Sequence, residues 1–574
     1  MSSPMSQQQI NEDQYLETLR GLHRKAWPKD LAREIVYPHG EKPLTDYLRT
    51  WARLQPNKPA VIFYGAVTTY GELDRQSDRF ATLLSQQGVK NGDRVSVFMP
   101  NCPQFHIAFF GILKLGAVHC PVSPLSKAFE LGYQVADCGS ETIVALDQLM
   151  PVVREVLSET KLNRFIVTSF SDAMPAEPTI PAPSATTAPK IPCADAIDMM
   201  RALAKINAPS YPDGASLDGI AALNYTGGTT GMPKGCIHTQ RDMIYTVAAN
   251  TSLAPPPENS ISLSFFPEFW IAGENSCLIF PVYSGTTLVL LTRWDPVAVM
   301  TAIQRYKVTA TAMPVDGALE IMDHPRFGEF DLSSLNNVRV VSFVKKLNMD
   351  YRRRWQKLVG TVLAESAWGM TETHTSDSFT TGMQDDDFDL KSRPTFVGLP
   401  VPGTEFKICD FETGAIVPLG AEGELCCRTP SLLKGYWNKP EATADTLRNG
   451  WLHSGDIGVI DEDGYLHYLG RRKEMIKVKG MSVFPGEVEA LLGQHPAITG
   501  SGVIPRFDEE RGQVPVAFVL LKSEAAGITP KAIEDWCRER MAVFKVPEVR
   551  IVDALPMTAT GKVKKQELGA LLNA

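Results

Sequence analysis

The chain has 574 residues, a formal net charge of −8, 44% hydrophobic residues and 21% charged residues. This composition excludes collagen-like, low-complexity and disordered proteins, and at roughly 150 residues per domain the length predicts three or four folding units. The acidic balance gives no general electrostatic reason to bind nucleic acid or an anionic membrane. The ten cysteines form no CxxC pair, so neither a disulfide framework nor structural zinc is indicated.

The N-terminal segment is polar from its first residues and lacks the apolar core of a signal peptide. No apolar stretch reaches the roughly 18 uninterrupted residues that a transmembrane helix needs. We therefore expect a cytoplasmic protein with no integral membrane association.

Short β-type runs alternate with helical patterns from about Leu44 to Ala367, which predicts an α/β architecture with substantial parallel sheet. The predicted strands are Arg94–Met99, Gly219–Tyr225, Thr286–Leu291 and Val338–Val344, and a helix is predicted at Gln104–Leu115. Residues 174–193 contain six prolines, a composition that disfavours helix and central strand. We interpret this segment as an exposed connector between two subdomains.

The pattern changes from Asp456 onward, where a β-hairpin is predicted around the turn Asp463-Gly464. Beyond it, strands at Gly502–Pro505 and Val514–Leu521 and helices at Glu487–Leu492 and Lys531–Met541 predict a compact α+β unit. We therefore expect an N-terminal extension (residues 1–40), a large multi-subdomain α/β domain (41–472) and a small mobile C-terminal α+β domain (473–574).

The most informative stretch is Ile220–Gly235, in which an apolar strand runs into a segment of Gly, Thr and Lys. Glycines let backbone N–H groups converge on an anion, threonine hydroxyls add donors, and lysine supplies charge. This combination predicts a nucleotide phosphate site. The spacing matches neither GxxxxGK[ST] nor a GxGxxG that opens a helix, which argues against P-loop and Rossmann proteins; a Gly/Thr-rich surface turn is the alternative.

The segment YTGGTTGMPKG (225–235) resembles the phosphate loop of the adenylate-forming superfamily, which contains acyl- and aryl-CoA ligases, luciferases and the adenylation domains of peptide synthetases. Further motifs of that family follow in its order and cover about residues 40–570. They are WGMTET (368–373), GELCCRTPSLLKGYWN (423–438), HSGDIG (453–458), GRRKEMIKVKG (470–480), FPGEVE (484–489) and TGK (560–562).

The resemblance implies an ATP site. Its expected residues are Thr226, Gly227, Gly228, Thr229, Thr230, Gly231, Lys234, Trp368, Gly369, Met370, Thr371, Asp456, Arg471 and Lys562. Within it, Trp368 is similar to the aromatic residue that stacks on adenine, Thr371 to the hydroxyl on the α-phosphate, and Glu372 to the Mg2+ ligand. Asp456 is similar to the carboxylate that accepts the ribose hydroxyls, with Arg471 as its partner. Core packing and an ordinary salt bridge are the alternatives.

The C-terminal unit resembles the family's moving lid. The resemblance implies that Lys562 reaches the carboxylate and the α-phosphate during adenylation, and that Lys473 is the hinge. Lys477, Gly480 and Met481 then belong to the CoA-binding face, where Gly480 leaves a channel for pantetheine. Residues 474–574 carry 13 Lys plus Arg and 13 Asp plus Glu, a balance that argues against nucleic acid.

Two stretches depart from the family pattern. Residues 340–347 read VVSFVKKL in the place of S-G-[GA]-[AE]-P-L, so Phe343–Lys346 change the edge where adenine is expected. In FPEFWIAG (266–273), Trp270 replaces a histidine beside the expected acyl pocket, to which Gly273 also belongs. A large apolar indole favours an aromatic or aliphatic acid, and simple core packing is the alternative.

The combined motifs predict a two-step acid–thiol ligase. A small carboxylic acid and ATP with Mg2+ give acyl-AMP and pyrophosphate, and CoA then displaces AMP to give a thioester. The alternatives are another acceptor, such as a carrier protein, an amine or oxygen, and a non-catalytic nucleotide-binding protein of the same fold. The end of the chain at Ala574 favours free CoA, and we expect a monomer or a homodimer.

Overall fold

The computed structural model describes residues 10–207, 211, 214–226, 232–391, 396–479, 481–525, 527–558 and 561–572. The first part of the chain alternates helices and strands, as its sequence predicts. In chain order the elements are α1 (Glu12–Ala26), α2 (Leu44–Leu54), β1 (Pro59–Phe63), β2 (Ala66–Thr69), α3 (Tyr70–Gln86), β3 (Arg94–Phe98), α4 (Pro103–Leu115), β4 (Val118–Pro121), α5 (Ala128–Cys138), β5 (Thr142–Leu146), α6 (Met150–Glu155), β6 (Arg164–Thr168), β7 (Ile197–Asp198) and α7 (Met199–Lys205).

The second part continues the alternation. Its elements are β8 (Ile220–Tyr225), β9 (Gly235–Thr239), α8 (Gln240–Leu253), β10 (Ile261–Ser264), α9 (Ile271–Gly273), α10 (Phe280–Ser284), β11 (Thr287–Leu290), α11 (Pro296–Tyr306), β12 (Ala310–Pro314), α12 (Val315–Asp323), β13 (Asn337–Val341), α13 (Met349–Val359) and β14 (Leu363–Glu365). A π-helical stretch, Glu274–Ile279, joins α9 to α10.

Two mainly parallel seven-stranded sheets are built from these elements. Their strand orders are β7-β6-β5-β3-β4-β8-β9 and β14-β13-β12-β10-β11-β1-β2, with antiparallel pairing at β8/β9 and β1/β2. One apolar core runs through both sheets, and the almost wholly buried α4 contributes to it. The predicted α/β class is confirmed.

Two local predictions in this region were wrong. The proline-rich segment joins β6 to β7, which are neighbours in one sheet, so it does not connect two subdomains. Most of its residues are exposed or half-buried, as expected, and only Ile180 and Thr186 are buried. The strand predicted to extend to Val344 ends at Val341, and the next residues turn away from the sheet.

A third, antiparallel sheet follows. Its elements are β15 (Ser378–Phe379), α14 (Phe388–Lys391), β16 (Phe396–Pro400), β17 (Glu405–Cys409), β18 (Gly423–Arg428), α15 (Pro440–Thr446), β19 (Leu447–Arg448), β20 (Trp451–Ile460) and β21 (Leu466–Arg471). The strand order is β15-β16-β21-β20-β18-β17, with β19 beside β20. Helix α1, whose N-cap Asn11 accepts a hydrogen bond from the Gln14 N–H, packs its apolar face onto this sheet.

The last part of the chain forms a smaller α+β unit with its own core, which agrees with the predicted fold class. Its elements are β22 (Ile476–Val478), β23 (Met481–Val483), α16 (Pro485–Leu492), β24 (Ile498–Asp508), β25 (Gly512–Leu521), α17 (Pro530–Arg538), β26 (Glu548–Ile551) and α18 (Lys565–Leu568). Helix α17 begins at Thr529-Pro530, where the Thr529 side chain accepts the Ala532 N–H. Within the described residues, none of the helices combines the length and apolar character needed to cross a bilayer.

Candidate active site

The predicted phosphate loop joins β8 to β9 as the connection of an antiparallel hairpin. Tyr225 lies opposite Gly235, and the Thr226 N–H donates to the Lys234 carbonyl at 3.0 Å, which closes the base of the loop. Five of the residues predicted in this loop lie outside the described part of the chain, namely Gly227, Gly228, Thr229, Thr230 and Gly231. The Lys234 ammonium lies 4.1 Å from the centroid of the Tyr436 ring.

The WGMTET segment follows β14 and lies against this hairpin. A Cβ at Gly369 would come within 2.2 Å of the Ser376 backbone nitrogen. Only glycine therefore allows these two parts of the loop to approach so closely. Glu372 is buried, and one of its oxygens accepts a hydrogen bond from the Tyr436 hydroxyl at 2.8 Å. Tyr436 therefore contacts both Lys234 and Glu372. No sequence signal distinguished Tyr436, although it lies inside the motif at 423–438.

Among the described residues of the predicted nucleotide site, Asp456 is the most deeply buried. It lies on β20 opposite Arg471 of β21, whose Nε is 2.7 Å from Oδ1. The Trp368 indole N–H donates to Oδ2 at 2.9 Å. Burial raises the pKa of Asp456 to about 6, against the lowering effects of Arg471 and of the Trp368 hydrogen bond. The predicted adenine and ribose residues are thus in direct contact.

Lys562 belongs to the C-terminal unit, and its ammonium lies 5.5 Å from the centroid of the Phe343 ring. The residue is exposed. Partial removal of water lowers the pKa of Lys562; the positive charge of Arg471 lowers it further, and the negative charge of Asp456 opposes both effects. Lys562 of the C-terminal unit and the Asp456–Arg471 pair therefore influence one another electrostatically.

The residues predicted to contact CoA lie elsewhere on the C-terminal unit. Lys477 is exposed on β22, and its backbone N–H donates to Gln513 Oε1 at 2.7 Å. Met481 is 43% exposed, and Gly480 lies outside the described residues. Lys473 lies in a 3-10 turn between β21 and β22. Lys477 is thus carried by β22, whereas Lys562 lies in the irregular segment before α18.

The departing segment 342–347 forms the surface on which the C-terminal unit rests. A Cβ at Gly500 would lie 2.7 Å from the Val344 side chain, so this glycine allows the two units to approach closely. Lys346 lies beside Gly493, and its charge, together with that of Lys565, lowers the pKa of the buried Glu489 against the effect of burial. The predicted change at the adenine edge therefore coincides with a contact between the two parts of the molecule.

Trp270 directly precedes α9, and Gly273 is the last residue of α9. The Trp270 ring is 6.1 Å from Phe266 and 6.0 Å from Phe343, measured between ring centroids. A Cβ at Gly273 would lie 1.9 Å from the Pro267 carbonyl oxygen, so the tight reversal of the chain at this point explains the glycine. Trp270 therefore belongs to an aromatic group that extends to the ring beside Lys562.

One group of three side chains that could bind a metal ion occurs among the described residues. Ligand atoms of Glu424, Cys426 and His453 lie within 4.8 Å of one another. His453 Nδ1 already forms a 2.8 Å hydrogen bond with a Glu424 carboxylate oxygen. This pairing explains the grouping, and we assign no metal to it.

Comparison with known proteins identifies the class. The model of the family described as AMP-binding enzyme matches residues 48–437, and that of the AMP-binding enzyme C-terminal domain matches residues 487–562. The chain belongs to this family, which places it in the adenylate-forming superfamily and makes it an adenylate-forming enzyme.

Individual relatives match over almost the whole chain. A long-chain-fatty-acid–CoA ligase of Bacillus subtilis (strain 168) is 30% identical over 557 residues, covering 94% of this chain and 96% of the relative. A protein of Nicotiana tabacum named 4-coumarate–CoA ligase 2 is 31% identical over 515 residues, covering 88% and 90%. The crystal structure of the anthranilate CoA ligase AuaEII with anthranoyl-AMP superimposes with a TM-score of 0.80 at 26% identity, covering 92% of this chain and 97% of that one.

The raised pKa of Asp456 predicts a pH-dependent nucleoside site. An ionised carboxylate accepts hydrogen bonds from both ribose hydroxyls, and protonation near pH 6 removes half of that capacity. Adenosine binding should therefore weaken as pH falls through 6, by up to about tenfold between pH 7 and pH 5. Titration calorimetry with adenosine measures this, because the nucleoside carries no phosphate that titrates in the same range. Asp456→Asn should bind weakly with a flat profile; a flat wild-type profile would contradict the assignment.

Proposed function

We propose that this enzyme joins a carboxylic acid to CoA in two steps. In the first, a carboxylate oxygen attacks the α-phosphorus of ATP, which forms acyl-AMP and releases pyrophosphate. In the second, the sulfur of CoA attacks the acyl carbon, which forms the thioester and releases AMP, while the thiol proton passes to solvent. The observation that supports this best is the contact between the buried residues Trp368 and Asp456, to which Arg471 is paired from the neighbouring strand.

Each residue has a defined task in the first step. Asp456 holds the ribose. The Trp368 indole is buried against Phe406 and fixed by its hydrogen bond to Asp456, and we propose that adenine binds beside it. The Thr371 hydroxyl donates to the α-phosphate. Lys562 places a positive charge where the acid's carboxylate and the α-phosphate, both negative, have to meet. A positive charge at this point lowers the repulsion between the two anions as they react.

Glu372 fits the role of a Mg2+ ligand. The Tyr436 hydroxyl fixes one carboxylate oxygen, so the orientation of the group is set before any cation arrives. A carboxylate oxygen is the ligand type that Mg2+ prefers, and the bound ion would neutralise the charge of the pyrophosphate leaving group.

The acid we propose is a fatty or an aromatic acid. The names of the relatives include long-chain fatty acid and coumarate ligases, and Trp270 with Phe343 forms an apolar aromatic pair near Lys562. The experiment is a panel of fatty and aromatic acids incubated with ATP and Mg2+, with and without CoA. The proposal expects AMP and pyrophosphate from ATP and a thioester whose mass equals acid plus CoA minus water. ADP with phosphate as products, or AMP and pyrophosphate without any thioester, would overturn it.

Glu372→Gln should sharply lower pyrophosphate release. The amide keeps the size of the side chain and the hydrogen bond from Tyr436 but loses the charge that holds Mg2+. Removing one electrostatic interaction from a preorganised site costs about 3 kcal/mol, or about a hundredfold in rate. The control is Glu405→Gln, which removes a carboxylate that pairs with Arg428 on the same sheet and should leave the rate unchanged. A Glu372→Gln rate within threefold of wild type would exclude the magnesium role.

Lys562→Ala and Lys477→Ala should affect different half-reactions. We propose that residues 473–574 rotate about Lys473 after adenylation and bring Lys477 to the site in place of Lys562. Lys562→Ala should then lose acyl-AMP formation but still convert supplied acyl-AMP and CoA to thioester, and Lys477→Ala should show the reverse.

Single-turnover assays of each half-reaction measure this difference. The matched control is Lys564→Ala, which removes an exposed lysine that pairs with Glu567 on the same segment as Lys562. Equal losses in both half-reactions for Lys562→Ala and Lys477→Ala would reject the rotation.

A further inference from the structure

The loop that carries Thr371 and Glu372 is held by its carbonyl groups. The Thr371 carbonyl faces His238 Nε2 at 2.7 Å, and the Glu372 carbonyl accepts the Leu433 N–H at 2.8 Å. The Thr373 carbonyl accepts the Ser431 hydroxyl at 2.7 Å. Three consecutive peptide groups are therefore fixed by side-chain or backbone donors from other elements.

The loop needs these anchors because its backbone is strained. Directly after Thr373, three successive residues that are not glycine have φ values of 61°, 63° and 59°, namely His374, Thr375 and Ser376. Left-handed conformations of such residues cost free energy and persist only where the surroundings enforce them. Without its anchors this loop would relax toward other conformations, and Thr371 and Glu372 would move with it.

His238 differs from the other anchors because it belongs to the strand that leaves the phosphate loop. It lies on β9, three residues beyond Gly235, and is fully buried. A carbonyl oxygen only accepts hydrogen bonds, so Nε2 of His238 carries the proton that reaches Thr371. This one hydrogen bond joins the strand after the phosphate loop to the residue expected at the α-phosphate.

The buried Asp242 side chain lies beside the second ring nitrogen of His238. Asp242 Oδ2 lies 3.6 Å from His238 Nδ1, and Asp242 is itself paired with Lys434 at 2.8 Å. Burial would raise the pKa of Asp242, but His238 and Lys434 outweigh that effect and lower it, so this neighbour is a carboxylate. The imidazole thus lies between the Asp242 carboxylate, which is beyond hydrogen-bonding distance of Nδ1, and the Thr371 carbonyl, which is the hydrogen-bond partner of Nε2.

The other side of the His238 ring rests on a second histidine. The rings of His238 and His374 meet edge to face, with centroids 4.9 Å apart. The Asn275 amide nitrogen donates its two protons to the carbonyls of Ile271 and His374, which fixes its orientation. His374 Nδ1 faces the same donor nitrogen at 3.3 Å, so this ring nitrogen carries no proton. The proton of His374 is then on Nε2, which lies 3.5 Å from a Glu274 carboxylate oxygen. Both rings therefore have a single preferred orientation.

We propose that His238 is a positioning residue for adenylation. It acts through the Thr371 peptide group, and it holds the Thr371 hydroxyl and the Glu372 carboxylate in register with the phosphate loop. The inference rests on the proposed function, because it assigns these two groups to ATP. A displacement of about 1 Å in such a site costs on the order of a hundredfold in rate, so one anchor has a measurable effect.

The test is the His238→Leu variant, which keeps most of the volume and removes the donor. Acyl-AMP formation should fall ten- to a hundredfold, as about 1 Å of misplacement would cause. Conversion of supplied acyl-AMP and CoA to thioester should stay within about threefold, and so should the affinity for adenosine, because Asp456 and Trp368 are untouched. His238→Gln, which offers an amide N–H to Thr371, should recover much of the lost rate.

Two further variants separate positioning from general destabilisation. His467→Gln alters a buried histidine of β21 that pairs with Asp461; it should lower the melting temperature without favouring either half-reaction. Asp242→Asn keeps the shape of the side chain, removes the charge beside His238 Nδ1 and weakens the pairing with Lys434 of the segment that anchors the Glu372 carbonyl; it should lower acyl-AMP formation several-fold. If His238→Leu does not fold, the Asp242→Asn variant tests the positioning role in its place.

The outcomes are distinguishable from failure of the proposed function. If the wild-type enzyme forms no acyl-AMP from any acid, the proposed function fails. If the wild-type enzyme is active and the folded His238→Leu or Asp242→Asn variant loses both half-reactions equally, or neither, the positioning role is overturned. A selective loss of acyl-AMP formation that His238→Gln reverses supports it.

Discussion

The buried carboxylate of Asp456 is the interaction on which the candidate site depends. A charge removed from water is costly unless it is paired, and Asp456 obtains partners from two separate stretches of chain. Arg471 comes from the neighbouring strand and Trp368 from the loop after β14. Satisfying this carboxylate therefore brings together the predicted adenine and ribose contacts, and its negative charge also acts on Lys562 of the C-terminal unit.

Apolar packing and charge also act together where the two parts of the molecule meet. Phe343 packs near Lys562, Val344 fills the space left by Gly500, and Lys346 contributes to the field at Glu489. These residues stand where the family pattern has small ones. In this orientation the segment therefore supports the C-terminal unit, and any rotation of that unit has to break these contacts first.

Sequence predicted those features that have a local signal. The Thr529-Pro530 cap marked the start of α17, the Asp463-Gly464 turn marked the hairpin of β20 and β21, and contiguous motifs marked Trp368 and Asp456. A resemblance carried by several motifs in order was enough to predict the family, which the comparisons confirmed. The roles of individual residues remain predictions.

The missed features depend on contacts between distant residues. His238 and His374 are 136 positions apart, and neither stands in a pattern that predicts burial or pairing. Tyr436 lies within a motif of the family, but only the fold brings its hydroxyl to Glu372. The proline-rich segment was wrongly interpreted as a connector between two subdomains. Its composition indicates which conformations are disfavoured, but not that β6 and β7, on either side of it, pair in one sheet.

The most direct measurement is a crystal structure with a non-hydrolysable acyl-sulfamoyl adenosine. We predict both ribose hydroxyls within hydrogen-bonding distance of Asp456, adenine against Trp368, and the sulfamoyl group between Thr371 and Lys562. The acyl chain should leave the site beside Trp270. An analogue bound with its ribose away from Asp456, or with Trp368 packed in the core and out of reach of adenine, would contradict the assignment of the site.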